Sequence, residues 1–100
     1  MPAEAQTEIR LMAISHTEFL RSLTPLKKHY RCHIDEEQKL IVISDCPRSV
    51  EVHLGPETSQ RLGALQMPAM EVELSFHGFT PEELERFRSR FDLCFRRGGG

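Results

Sequence analysis

The chain predicts an α+β fold: a two-layer sandwich with two main helices on one face of a mostly antiparallel sheet of about five strands. Three observations carry this. Residues 80–97 combine a helix-start signal with apolar residues at helical spacing. Residues 15–23 repeat that start. Between them, apolar residues recur at every second position in short runs joined by short polar links, the pattern of antiparallel strands. At 100 residues, 39% hydrophobic and 28% charged, the chain fits a single domain, 1–100, with one modest core and Gly98 to Gly100 as a flexible tail.

Residues 3–14 are rich in Ala, Glu and Leu and suit a helix, but a cap at Ser15 requires a break, so residues 8–14 are read as a strand. Ser15-His16-Thr17-Glu18 is a capping box flanked by Ile14 and Phe19 as a hydrophobic staple. Phe19, Leu20 and Leu23 supply the buried stripe, and Pro25 limits the helix. Tyr30, Cys32 and Ile34 then alternate with His29, Arg31 and His33. Asp35 to Lys39 is a polar hairpin loop.

Leu40 to Ile43 is apolar on both faces, which marks a central strand. Leu40 and Val42 are assigned to the helix side, and Ile41 and Ile43 to the other. Asp45-Cys46-Pro47-Arg48 is a turn, after which Val50, Val52 and Leu54 alternate with Glu51 and His53. Gly55-Pro56-Glu57 is expected to open a short helix reaching Leu62 and Leu65 before Pro68. Met70, Val72, Leu74 and Phe76 alternate with Glu71, Glu73, Ser75 and His77, the clearest strand. In the last helix Thr80 is the N-cap, Pro81 fits the first position, Glu83 closes a capping box, and Phe79 with Leu84 forms the staple. Leu84, Phe87, Phe91, Cys94 and Phe95 make its apolar face.

The net charge of −2 argues against bulk electrostatic binding to nucleic acid or anionic membrane. The first ten residues lack a basic stretch followed by an apolar run, and no apolar run, Leu40 to Ile43 included, exceeds four residues, so neither a signal peptide nor a membrane span is expected. The three cysteines, Cys32, Cys46 and Cys94, are odd in number and far apart, which suits reduced thiols in the cytoplasm.

The stretch His29-Tyr30-Arg31-Cys32-His33-Ile34-Asp35-Glu36-Glu37 gathers metal-ligand side chains. On a strand, Cys32 faces away from His33, and His29 and His33 stand about 13 Å apart, too far to chelate one ion. No second Cys or His pair completes a zinc pattern, so neither a metal nor a cofactor is expected. Cys46 lies in a turn near Arg48, which would lower its pKa, beside Asp45, which would oppose that. No motif supplies the base or oxyanion stabiliser that a nucleophile needs, so no catalytic residue is assigned. Cys94 reads as core.

Two surfaces stand out. Arg86, Arg90 and Arg97 line up opposite the apolar face of the last helix, a candidate anion or partner stripe. Glu82 with Arg86 and Asp92 with Arg96 also suit ordinary i,i+4 pairs. The second surface is the sheet face away from the helices, expected to carry Arg31, His33, Ile41, Ile43, Glu51, His53, Glu71, Glu73 and His77: isoleucines inside a polar rim, as in an interface. The sequence thus points to a non-enzymatic interaction or regulatory module that docks on a protein or on itself. The alternatives are a small-molecule or metal-dependent enzyme using strand-end histidines, and nucleic-acid docking on the arginine stripe, for which exposed stacking aromatics are missing.

Overall fold

A computed structural model describes residues 6–95. In chain order the elements are β1 (Gln6–Met12), α1 (His16–Ser22), a 3₁₀ turn (Thr24–Lys28), β2 (Arg31–Asp35), β3 (Leu40–Asp45), β4 (Arg48–Leu54), β5 (Thr58–Leu62), β6 (Leu65–His77) and α2 (Pro81–Phe95). The strands form one antiparallel sheet in the order β1-β6-β4-β3-β2, with β5 paired to the start of β6. This is the expected α+β sandwich, with six strands rather than five. Arg96, Arg97 and the Gly98 to Gly100 tail lie outside the described residues. Among those described, no helix is long and apolar enough to cross a membrane.

The two helix starts form as their residues dictate. The Ser15 hydroxyl accepts from the Glu18 N–H at 3.2 Å. At α2 the box closes both ways: the Glu83 N–H donates to Thr80 Oγ1 at 3.2 Å, and the Thr80 N–H donates to Glu83 Oε1 at 3.1 Å. Gly78, immediately upstream, has φ +78°, and a Cβ there would meet the Pro47 carbonyl at 2.9 Å, so only glycine carries the chain from β6 into this cap.

The core lies between the helices and one sheet face. Phe19, Leu23, Leu26, Leu84, Phe87 and Phe91 pack against Ile41, Ile43, Val50, Val52, Leu54, Met70, Val72, Leu74 and Phe76. Phe91 packs among its aromatic rings, with centroids 5.9 Å from Phe87, 6.1 Å from Phe19 and 4.8 Å from Phe95.

Two expectations are overturned. Ile41 and Ile43 are each 1% exposed and belong to the core, while Leu40 and Val42 face away from the helices, half-buried. An all-apolar run leaves both phases open; the two-residue turn at Cys46 and Pro47 decides. It sets Ile43 opposite Val50 and Ile41 opposite Val52, and cross-strand partners share a face.

The short helix expected after Gly55 is instead the hairpin of β5 and β6. It turns through Gly63 at φ +62°, with Thr58 opposite Ala69 and Gln60 opposite Met67. Leu65 is 66% exposed. Without a core to receive an apolar stripe, a helix of this length has little to stabilise it, and strand pairing satisfies the backbone instead.

Candidate functional site

The sheet face opposite the helices is uncovered among the described residues, and register arranges its side chains in rows. Ile9, Glu73, His53, Leu40 and Asp35 cross β1, β6, β4, β3 and β2; Thr7, Ser75, Glu51, Val42 and His33 form the next row; His77, Ser49, Ser44 and Arg31 the third. Leu11 stands beside Glu71 at one end. Seven of the nine residues assigned to this face from sequence are therefore on it: Arg31, His33, Glu51, His53, Glu71, Glu73 and His77. Ile41 and Ile43 are not. His53 Nε2 lies 3.6 Å from Glu51 Oε1. His77 Nε2 is buried without a hydrogen-bond partner among the described residues.

The apolar part of the face lies at its edge. Strand β1 is inverted: Ile9 and Leu11, 66% and 67% exposed, point outward, while Glu8 and Arg10 point to the helix side. α2 supplies the partners that make this orientation possible. The Arg10 guanidinium lies 5.3 Å above the Phe91 ring and donates to Asp92 at 2.6 Å. Arg88 donates to Glu8. The charged side chains lie with their stems along the core margin and their heads in ion pairs. Ile9 and Leu11 were missed from sequence because alternation alone places the apolar side of Thr7 to Met12 inward; the signal lay in Arg88 and Asp92, complementary charges four apart on a distant helix.

A cleft of about 370 Å³ opens at one end of the sheet between α1 and the β2–β3 loop. His16, Asp35, Glu36, Lys39 and Glu57 give it polar groups, and Leu20, Ile34, Leu40 and Leu54 apolar walls. His16 Nε2 is 2.8 Å from the Gly55 carbonyl and its Nδ1 is 3.4 Å from Glu57, whose carboxylate also accepts the His16 N–H. Asp35 is occupied in the turn, accepting from the N–H groups of Glu37 and Gln38. These groups hold the loops and α1 to one another. His16 escaped the sequence reading because its partners arrive from the β4–β5 link.

The arginine stripe is divided. Arg90 lies over the Tyr30 ring at 5.7 Å and donates to its hydroxyl at 3.1 Å, Arg86 is exposed, and Arg97 lies outside the described residues. Asp92 pairs with Arg10. Beyond Tyr30, Lys27, Lys28, His29 and Arg31 rim a concave surface with Cys46 exposed at its margin. Lys27, Lys28 and Arg31 make no ion pair among the described residues. The Arg48 guanidinium is committed to Asp45 at 2.7 Å and to Glu83. Burial pushes the thiols of Cys32 and Cys94 up. No three His, Cys, Asp or Glu side chains gather in a metal-holding group among the described residues. No family model, curated protein or solved structure matches the chain.

Proposed function

We propose that this domain is a non-enzymatic protein-interaction module that docks through its open sheet face. The inverted β1 carries the reading. Two large apolar side chains point to solvent in a strand whose charged residues are held inward by α2, and the half-buried Val42 and Leu40 lie on the same face three strands away, across Glu73, His53, Ser75 and Glu51. A partner covering Ile9 and Leu11 gains about 1.5–3 kcal/mol for each fully buried side chain. Exposed apolar side chains set among polar ones on one uncovered face suit a docking surface. The test compares wild type with the double variant Leu11→Lys/Val42→Lys in affinity capture and in solution molar mass. A partner or an assembly that the double variant loses supports the reading. Identical behaviour of the two proteins overturns it.

The unpaired cations at Lys27, Lys28 and Arg31 favour a second reading, docking of an anionic ligand at that end of the sheet. Binding of a labelled oligonucleotide that weakens steeply with salt and is lost in Lys27→Glu/Lys28→Glu supports it; no binding at 50 mM salt rules it out.

A further inference from the structure

We propose that β1 pairs edge to edge with β1 of a second copy of this chain, antiparallel and centred on Ile9, joining two sheets into one. This goes beyond face docking, because it concerns the rim of the sheet and stands or falls separately. Among the described residues β1 is an end strand, paired only with β6. It carries no proline or bulge to blunt its outer edge, and its two charged side chains are drawn toward α2 rather than guarding that edge.

Register selects the geometry. A two-fold axis perpendicular to the sheet places each residue opposite a mate on the same face, so the axis passes through a residue pair. An axis through Glu8 or through Arg10 sets like charges directly opposite one another. An axis through Ile9 sets Glu8 opposite the second copy's Arg10, and Arg10 opposite its Glu8. Ile9 is also the midpoint of Gln6–Met12, so the register chosen by charge is the one that pairs the whole described strand. The two Ile9 side chains then meet at the axis, and each Leu11 lies beside a Thr7, which covers the exposed apolar residues laterally.

The opposite edge, β2, allows a similar pairing of Arg31 with Asp35 about His33. It is shorter and carries no exposed large apolar residue to cover.

The test is solution molar mass against concentration, with hydrogen exchange of the β1 amides. Wild type is expected to move from one to two chain masses, with β1 amides gaining protection in step. Ile9→Lys, at an exposed position, is expected to remain at one chain mass with its melting temperature unchanged. Val42→Lys, on the same face but three strands from β1, is expected still to dimerise, which separates edge pairing from docking on the face. Glu8→Arg and Arg10→Glu should each fail to self-associate, yet an equimolar mixture should form a mixed dimer, because both cross-strand charge pairs are then opposite in sign. Wild type at one chain mass up to about 1 mM, a dimer that survives Ile9→Lys, or a folded mixture that stays at one chain mass overturns the proposal.

Discussion

Glu83 and Thr80 cap α2 reciprocally, each accepting the other's backbone N–H, and Arg48 closes on the same Glu83 carboxylate from β4. The Thr80 backbone N–H, then its hydroxyl, and then the Arg48 charge hold the Glu83 carboxyl below its ordinary range. Folding therefore favours the carboxylate. That contribution is present above the unfolded value, near 4.3 for glutamate, and is lost as pH falls through the lower folded value. Glu83→Gln should flatten the fall in melting temperature of the wild type below about pH 4.3. Parallel pH profiles would show that the pairing does not act on stability. Thr80→Ala removes the cap oxygen and should cost about 1 kcal/mol in urea denaturation.

Phe91 joins the helix layer to the inverted strand. It is 1% exposed, packs against the rings of Phe19, Phe87 and Phe95, and supports the Arg10 guanidinium. Phe91→Ala should cost about 3–5 kcal/mol from the emptied core position. It should also loosen β1, seen as faster hydrogen exchange at Ile9 and Leu11 than in a variant of equal global stability. An unchanged denaturant midpoint would contradict this packing.

Local chemistry made the helices and most strand faces legible. The caps at Ser15 and Thr80 use residues within three positions of one another, and the alternation from Val72 to His77 needs no distant partner. What was not legible depends on sequence-distant contacts. The Leu40 to Ile43 run is apolar in both phases, and only the turn that sets Ile43 against Val50 orients it. The phase of β1 is reversed by Arg88 and Asp92, some eighty positions away. The 55–65 segment has helix-start residues but no core surface to pack on, and pairs with β6 instead. The candidate face was thus largely identified, with its apolar residues misplaced from Ile9 and Leu11 to Ile41 and Ile43.

The corrected register makes adjacent residues respond oppositely to the same substitution. Ile43→Lys must bury a cation beside Val50 with no carboxylate opposite it, and should cost more than about 4 kcal/mol or prevent folding. Val42→Lys, on the open face and opposite Glu51 and His33, should stay within about 1 kcal/mol of wild type. Urea midpoints in the reverse order would restore the other phase of β3.

The three thiols should separate by burial. Cys46 is exposed in the β3–β4 turn, whereas Cys32 and Cys94 are half-buried against the core. Desolvation raises both of the latter, opposed by Lys27 at Cys32 and by a hydrogen bond with the Leu26 backbone at Cys94, so less of each is thiolate at a given pH. Thiolate is the reactive form, and access adds to the difference. With an aromatic disulfide reagent at pH 8, the folded protein should release one equivalent rapidly and two slowly, and all three should become fast in denaturant. Cys46→Ser should remove the fast phase alone. A fast phase that persists in Cys46→Ser would mean that the helix layer opens over Cys32 or Cys94 more readily than its packing allows, and the stability predicted to depend on Phe91 would then be in error as well.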